Sequence, residues 1–284
     1  MQVSVIMPVY NASKFIIGAV ESVINLPQLG ELIMIEDNST DDSLTVCKKL
    51  EEKYNKIRLY QHENGINKGA GPSRNLGIKM AICDFISFLD VDDYYLPSRF
   101  EASEKILVGN PTIDGVYDAV GFFYKNNNII GEDLTTIVKR PSGREVFKAL
   151  LSPERGHFHT NGITIRKNSI KNMSWFREDL RLHQDTEFWM RLSYHLNLVP
   201  GRTTEAVAIR TVHADNRIHN ADFSTKSILY THLLEYFSNQ PLRVMEKYYL
   251  ARKFALFSVR KNCYKNILHF HIARIFEFLR AFLK

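Results

Sequence analysis

The stretch Phe85-Ile86-Ser87-Phe88-Leu89-Asp90-Val91-Asp92-Asp93 joins an apolar run to three carboxylates. The run predicts a buried strand, and open α/β sheets bind ligands at the carboxyl ends of such strands. On extended chain, residues 90 and 92 face the same side, where carboxylates about 6 Å apart repel by about 3 kcal/mol. A divalent cation such as Mg²⁺ or Mn²⁺ converts that repulsion into binding, because hard cations prefer oxygen ligands. A solvated turn or a helix cap before Leu96-Pro97 is the alternative.

The residues before this stretch alternate between the periodicities of strands and helices. Strands are predicted at 3–10, 31–37 and 57–62, and helices at 13–26, 43–54 and 72–83. A glycine-rich loop at 65–71 precedes the last of these helices. Alternation of this kind builds a mostly parallel sheet with helices on both faces, so the sequence predicts an α/β fold.

Beyond Pro97 the pattern is less regular. Strands are predicted at 116–124, 160–166 and 206–213, and a helix at 185–195. From about Ser227 the sequence is helical throughout, with Pro241 as the clearest break. We therefore expect an α/β domain with a helical C-terminal extension.

The formal net charge of +6 is unevenly distributed over the 284 residues. Residues 239–284 hold ten Lys or Arg and two acids, so the remainder is slightly acidic, which argues against a nucleic-acid-binding protein. The three cysteines have no CxxC spacing, which predicts a reducing compartment and neither a disulfide framework nor a zinc site. With no basic leader and no apolar run approaching about 18 residues, we expect a cytoplasmic protein without a membrane-spanning helix.

Several segments, in this order, resemble motifs of the bacterial family 2 glycosyltransferases of the GT-A fold. They are VSVIMPVYN (3–11), IEDNSTD (35–41), GPSRNLG (71–77), FLDVDD (88–93) followed by Leu96-Pro97, and LHQDTEFWMRL (182–192). The resemblance covers about residues 1–215 and implies a Rossmann-like, mostly parallel central sheet flanked by helices. It divides the chain into a catalytic domain at 1–225 and a basic, amphipathic extension at 226–284. Within the domain, 1–97 would bind the nucleotide sugar and 98–225 the acceptor.

The resemblance implies a donor site for a nucleotide sugar, most simply a UDP-sugar. Asp37 would accept a hydrogen bond from the uracil N–H, and Pro8 and Tyr10 would shape the base pocket. Arg74 would lie near the base or the diphosphate. The alternatives are that Asp37 caps the following turn and that Arg74 is a surface charge of its helix.

The resemblance also implies a Mn²⁺ or Mg²⁺ cofactor that stabilises the diphosphate leaving group. Asp92 would hold this metal, and Asp90 would contact the ribose or the metal. His213 would be a further metal ligand or touch the diphosphate, and Arg217 would neutralise phosphate charge. Asp93 has the alternative of capping the next helix.

Asp185 is the candidate general base that deprotonates the acceptor hydroxyl, in a single displacement that inverts the anomeric carbon. Its alternative is an N-cap of the helix that follows, and Glu187 is a second candidate base on another face of that helix. His157 and His159 are either a polar surface pair or acceptor contacts.

The resemblance therefore implies an inverting, metal-dependent hexosyl- or N-acetylhexosaminyltransferase that acts on a glycan or lipid-linked acceptor in surface polysaccharide synthesis. A sugar nucleotidyltransferase would need a Gly-rich basic loop after the first strand, and residues 8–12 (PVYNA) offer none. A non-catalytic glycan-binding or scaffold protein on the same fold is the rival from a different class. Residues 263–284 place apolar and basic side chains on opposite helical faces, which favours peripheral contact with an anionic membrane. The alternative is a helix packed on the catalytic domain or a dimer contact.

Overall fold

The computed structural model describes residues 1–125, 128–137, 139–152, 155–213 and 223–260. The strands are β1 (Val3–Val9), β2 (Leu29–Glu36), β3 (Ile57–Gln61), β4 (Phe85–Phe88), β5 (Tyr94–Tyr95), β6 (Gly115–Tyr117), β7 (Ala119–Tyr124), β8 (Ile129–Ile130), β9 (Ile163–Arg166), β10 (Leu198–Pro200) and β11 (Ala206–Val212). The helices are α1 (Ile16–Ile24), α2 (Ser43–Lys53), α3 (Ala70–Met80), α4 (Glu101–Gly109), α5 (Arg144–Leu151), α6 (Gln184–His195), α7 (Phe223–Ser238) and α8 (Val244–Arg260).

Within these ranges, seven strands form a central sheet in the order β10-β6-β9-β4-β1-β2-β3. β1 pairs in parallel with β2 and β4, and β2 pairs in parallel with β3, because the α-helical crossovers return each strand in the same direction. Only β9 runs antiparallel to its neighbours β4 and β6 in this sheet. The sheet is therefore mostly parallel, as the alternating pattern predicts.

The strand predicted at 116–124 is instead two strands in two sheets. β6 belongs to the central sheet, whereas β7 pairs with β11 in a smaller sheet of order β5-β11-β7-β8. The chain changes sheet at Asp118, whose buried carboxylate accepts from the Arg202 backbone N–H at 2.7 Å and from Ser103 Oγ at 3.0 Å. Arg99, also fully buried, reaches the same carboxylate at 3.4 Å. The apolar pattern of the sequence does not reveal the change from one sheet to the other, because β6 and β7 are both buried strands.

Two further segments differ from the strands and extended chain that the sequence predicts. Residues Thr160–Gly162 form a 3₁₀ turn, so the predicted strand 160–166 begins only at Ile163. Residues 91 and 92 lie in a turn, and the Asp93 backbone N–H donates to the Asp90 carbonyl at 3.0 Å. The expectation that Asp90 and Asp92 share one side of an extended strand is therefore wrong.

The apolar core lies on both faces of the central sheet. One cluster packs α1 and α2 against β1 and β2, and the other packs α3, α5 and α6 against the opposite face. The second cluster also includes Leu229, Leu233 and Phe237 of α7 and Leu250 and Phe254 of α8. The C-terminal helices therefore share a core with the domain, and the predicted boundary at 225/226 stays a prediction.

None of the helices in the described ranges is both long enough and apolar enough to cross a bilayer. The amphipathic segment predicted at 263–284 lies outside those ranges.

Candidate functional site

The carboxyl ends of three adjacent parallel strands bring the predicted donor residues together. β1 lies between β4 and β2, so its end at Pro8 and Tyr10 stands between Asp90, which follows β4, and Asp37, which follows β2. All four residues line one cavity of about 1030 Å³. The sheet order therefore creates the site at the edge where ligands bind in open α/β folds.

Asp37 is buried and anchors the glycine-rich loop. Its two carboxylate oxygens accept from the backbone N–H groups of Lys68 and Gly69, each at 2.7 Å. Gly69 has a φ of 94°, a conformation that favours glycine, and it forms the N-cap of α3. The alternative in which Asp37 caps the turn through residues 38 and 39 is wrong, because the Ser39 N–H donates to Glu36. Each carboxylate oxygen retains a second lone pair for a ligand in the cavity.

Arg74 points from the first half of α3 toward the carboxylates. Its Nη2 donates to Asp90 Oδ1 at 2.5 Å, and its guanidinium lies over the Phe176 ring at 5.4 Å from the centroid. Arg74 is 6% exposed, so the alternative of a solvated surface charge is wrong. Its Nε is buried with no hydrogen-bond partner among the described residues. The guanidinium therefore keeps an unused donor beside the cavity.

Two groups of metal-ligating side chains meet at this edge. His213 Nε2 lies 3.1 Å from Asp92 Oδ2, which brings the two predicted metal residues together. Asp90, Asp93 and His159 form a second set, in which one ligand atom of each lies within 4.8 Å of the others. The His213 ring also stacks on Phe15, with centroids 5.2 Å apart. Asp92 and Asp90, one from each set, both line the cavity, so a single cation has several oxygen and nitrogen atoms available to it.

Asp93 does not cap the next helix. Its carboxylate accepts from the Thr211 backbone N–H at 2.7 Å and from Asn161 Nδ2 at 2.6 Å. Asn161 Oδ1 in turn accepts from the Asp90 backbone N–H at 3.0 Å. α4 begins only at Glu101, too far along the chain for Asp93 to cap it. The buried amide of Asn161 therefore fixes the turn that carries all three carboxylates.

Burial and mutual repulsion separate the protonation behaviour of these groups. Burial would raise the pKa of Asp90, but the Arg74 guanidinium overcomes this and lowers it. Burial raises the pKa of Asp92, and the charge of Asp90 raises it further. Burial also raises the pKa of Asp93, and the charges of Asp92 and Asp90 add to that effect. Burial lowers the pKa of His159 to about 4, so its imidazole is neutral at pH 7. Neutral imidazole and carboxylate oxygens are ligand types that suit a divalent cation.

Asp185 lies in the first turn of α6 and lines the same cavity. The N-cap of this helix is His183, with a φ of 62°, so the N-cap alternative for Asp185 is wrong. Glu187 is 1% exposed and accepts from Nε and Nη2 of Arg191, both at 2.7 Å. Arg191 also donates to the carbonyls of Ser174 and Trp175. Asp185 is thus the α6 carboxylate available to a ligand.

Some cavity residues have no counterpart among the sequence motifs. Arg210 on β11 and Lys226, Tyr230 and Lys253 on the C-terminal helices line the cavity, as do His157 and His159. Lys253 is partly buried and donates to the Leu150 carbonyl, so it is not a solvated charge on the surface of its helix. Only the His-x-His pattern gave a sequence signal; nothing in the sequence distinguishes Lys253 from its exposed neighbour Arg252. Arg217 lies outside the described residues.

Comparison with known sequences gives one family. A sequence model described as glycosyl transferase family 2 matches residues 4–172. An uncharacterized glycosyltransferase of Methanocaldococcus jannaschii is 27% identical over 192 residues, which cover 66% of this chain and 63% of that protein. The minor teichoic acid biosynthesis protein GgaB of Bacillus subtilis is 30% identical over 190 residues, 65% of this chain and 20% of its own length. The chain therefore spans less than two thirds of either relative.

Comparison with solved structures gives the same architecture. TarS residues 1–349 of S. aureus, solved in complex with UDP-GlcNAc, matches with a TM-score of 0.70 at 18% identity, over 99% of this chain and 81% of that one. The mannosyltransferase PcManGT of Pyrobaculum calidifontis, solved with GDP-Man and Mn²⁺, matches with a TM-score of 0.56 at 14% identity, over 98% and 80% of the two chains. At these identities the likeness concerns the fold, and it confirms the GT-A architecture expected from the sequence.

Proposed function

This chain belongs to glycosyl transferase family 2, and from that premise we propose that it transfers a hexosyl or N-acetylhexosaminyl group from a UDP-sugar to a hydroxyl, with inversion at the anomeric carbon. The observation that carries the proposal is the single cavity lined by Asp37, Asp92 and Asp185. A donor with a base, a diphosphate and a sugar needs three such subsites in one continuous space. The UDP and UDP-GlcNAc bound by TarS support the choice of donor.

At the nucleotide end, Asp37 is the proposed acceptor for the uracil N–H. Its burial and its two bonds to loop N–H groups hold the carboxylate in one orientation, which lowers the entropic cost of binding the base. Pro8 and Tyr10 border the same end of the cavity and would pack on the base. Arg74 is proposed to use its unpartnered Nε–H toward the ribose or diphosphate.

At the centre, Asp92 with His213, and Asp90 with Asp93 and His159, are the groups proposed to hold Mn²⁺ or Mg²⁺. When bound, such a cation supplies positive charge to the diphosphate as it leaves the sugar. The residues themselves form a buried cluster of like charges, since burial and then the neighbouring carboxylates raise the pKa values of Asp92 and Asp93. The fit of the cluster to a cation rests on that excess of negative charge.

Asp185 is the proposed general base. Its side chain borders the cavity without an ion-pair partner in the described part of the chain, so the carboxylate is free to accept a proton from an acceptor hydroxyl. Attack by that oxygen on the anomeric carbon, opposite the departing diphosphate, forms the new glycosidic bond and breaks the old one in one step. The teichoic acid function named for GgaB supports a cell-surface polymer, or its lipid-linked precursor, as the acceptor.

The proposal is tested first without any acceptor, by thermal unfolding in UDP, GDP, CMP or dTMP, each with and without Mn²⁺. A ligand at 100 times its Kd stabilises the folded state by about 2.7 kcal/mol, which is readily measured. Stabilisation by UDP that requires Mn²⁺ is the expected result. Stabilisation by a different nucleotide would contradict the UDP assignment but keep the transferase. No stabilisation by any nucleotide would favour a non-catalytic protein on this fold.

A further inference from the structure

The C-terminal helices contribute part of the cavity wall, although they lie beyond the segment that matches the family. Lys226 and Tyr230 of α7 and Lys253 of α8 all line the cavity. Next to Lys253, Phe254 is buried in the same apolar cluster as Leu250 and Phe237, so the lysine stands on a fixed helix. This wall is therefore a built part of the cavity.

Lys253 carries a positive charge with no negative partner in the described part of the chain. Its Nζ donates to the Leu150 carbonyl at 2.9 Å, near the C-terminal end of α5, and lies 5.9 Å from the centre of the Tyr230 ring. Burial lowers its pKa to about 8, so it is mostly protonated at pH 7. An ammonium has three donors, and one bond to a carbonyl leaves two for a ligand. A partly desolvated cation that lacks a carboxylate is costly to the folded protein.

A second unpaired cation stands nearby. Arg210 of β11 lines the cavity, and its side chain forms no hydrogen bond or ion pair with any residue that the structure describes. His157 is within electrostatic reach of Lys253, Arg210 and Asp185 at once, which indicates that both cations lie near the Asp185 side of the cavity. Arg210 is also within electrostatic reach of Asp90 and His159, so it lies between Asp185 and the carboxylate cluster. This side is where the acceptor hydroxyl must approach if Asp185 is the base.

We propose that Lys253, assisted by Arg210, forms an acceptor subsite for a singly charged oxyanion, either a phosphodiester or a carboxylate carried by the acceptor. The inference rests on the proposed function, because it takes the Asp185 side of the cavity as the acceptor side. Lysine binds such groups as a point charge, without the bidentate geometry that arginine provides. The subsite would select anionic over neutral acceptors of equal size.

The test measures binding of three small probes by isothermal titration calorimetry, with UDP and Mg²⁺ present at saturation. The probes are glycerophosphoglycerol for the phosphodiester, glycerate for the carboxylate, and diglycerol as the neutral control. We expect one of the two anions to bind at least about tenfold more tightly than diglycerol. Which anion binds distinguishes the two acceptor chemistries. Equal binding of all three probes, or binding of none, overturns the proposal.

Three variants assign the effect to the residue. Lys253→Met keeps the length of the side chain and should remove the preference for the anion, whereas Lys253→Arg should retain most of it. Arg252→Met, on the exposed neighbouring position of the same helix, should leave it unchanged. Melting temperatures of all variants establish that each is folded. A preference that survives Lys253→Met overturns the proposal.

UDP affinity separates this inference from the function on which it rests. Lys253→Met should leave the Kd for UDP within about twofold of the parent value, because the lysine is assigned to the acceptor side. A tenfold weaker affinity for UDP would place Lys253 at the donor and overturn the inference. If the parent protein fails to bind UDP but still prefers an anionic probe, the proposed function fails and the oxyanion subsite stands.

Discussion

Asp92 and Asp185 border the same cavity, and their neutralisation should have different consequences. Asp92→Asn removes a negative charge from the carboxylate cluster proposed to hold the metal, so the Mn²⁺-dependent Kd for UDP should rise by about 30-fold or more, equivalent to about 2 kcal/mol. Asp185→Asn leaves that cluster intact and should preserve UDP binding while abolishing transfer. Calorimetric titration of UDP and a transfer assay together measure both effects. Equal loss of UDP affinity in the two variants would refute this division of roles.

Asp37 should act on both the glycine-rich loop and the nucleotide. In Asp37→Asn, one oxygen that accepts from the loop becomes an NH₂ group facing an N–H donor. A hydrogen bond to a charged group contributes about 1.5–3 kcal/mol, so we expect a stability loss of that order together with weaker UDP binding. Urea denaturation and UDP titration measure the two effects.

The matched control for that prediction is Asp42→Asn. Asp42 is exposed at the start of α2, and its side chain forms no capping hydrogen bond. Its stability and UDP affinity should stay close to those of the parent. A loss in the control as large as that in Asp37→Asn would contradict the role assigned to the loop.

Lys253 should give the folded protein a measurable dependence on pH. Its pKa of about 8 in the folded state lies below the ordinary lysine value of about 10.4, so between these values the unfolded chain binds more protons. Stability contributed by this group therefore rises as the pH increases from about 8 to about 10.4. The urea midpoint of the parent should therefore be lower at pH 7.5 than at pH 9.5. The Lys253→Met protein should lack that difference. An identical pH dependence in both proteins would contradict the burial of this ammonium.

At the level of single elements, α6 depends on one buried ion pair to present Asp185. Glu187 and Arg191 occupy successive turns, and Arg191 ties the helix to the carbonyls of Ser174 and Trp175. Because both side chains are almost completely buried, removal of one charge leaves the other uncompensated. The position of Asp185 thus rests on two residues that do not line the cavity.

Glu187→Gln should therefore destabilise the protein by about 3 kcal/mol. Urea denaturation followed by far-UV circular dichroism measures the change. Glu52→Gln, at an exposed position of α2, is the matched control and should change the free energy of unfolding by less than about 0.5 kcal/mol. A Glu187→Gln protein as stable as the control would show that the pair does not fix α6.

The sequence predicts most elements well, for physical reasons that differ between them. β1, β2, β3 and α2 agree with the predicted spans to within two residues at each end, because their periodicities are sustained and their ends carry turn residues. One failure occurs where a buried polar residue interrupts an apolar run. Asp118 divides one predicted strand between two sheets. No local pattern reveals that Arg99 and Ser103 contact its buried carboxylate.

At the scale of the whole molecule, α7 and α8 behave as parts of the same folding unit as the cavity. Phe237 is 1% exposed and packs on Phe147 of α5 and Tyr194 of α6, with ring centroids 4.9 and 5.2 Å apart. These contacts join the C-terminal helices to the helix that carries Asp185. Loss of packing there should propagate to the site.

Phe237→Ala should lower the free energy of unfolding by about 3–5 kcal/mol, the usual cost of truncating a buried aromatic side chain. Tryptophan fluorescence and circular dichroism should report a single shared transition. Ile228→Ala on the same helix removes an exposed side chain and should have little effect. Two separated transitions in the parent protein would show that the C-terminal helices unfold independently.

Residues 263–284 carry a separate prediction that concerns the membrane. Their removal should leave transfer to a soluble acceptor unchanged and abolish binding to vesicles that contain anionic lipid, since each basic group near such a surface contributes about 1 kcal/mol. Co-sedimentation with vesicles of phosphatidylglycerol and phosphatidylcholine measures the binding. Unchanged sedimentation of the shortened protein would refute the membrane assignment.

The sequence by itself determined the family, the strand–helix alternation and the set of residues proposed for the donor side. These features are local, because each motif combines an apolar strand with the polar residues directly after it. Asp37, Arg74, Asp90 and Asp92 therefore could be named in advance, and the order of parallel strands brings them to one edge.

Only the tertiary structure decided which distant residues complete the cavity. His159 joins Asp90 and Asp93, Asn161 holds their turn, and Lys253 reaches the cavity from a helix about 160 residues beyond β4. Such contacts depend on the packing of α7 and α8 against α5 and α6, and burial by residues far along the chain leaves no periodic signal at the position itself. The sequence marks a lysine on an amphipathic helix, and only the packing of that helix turns it into part of a site.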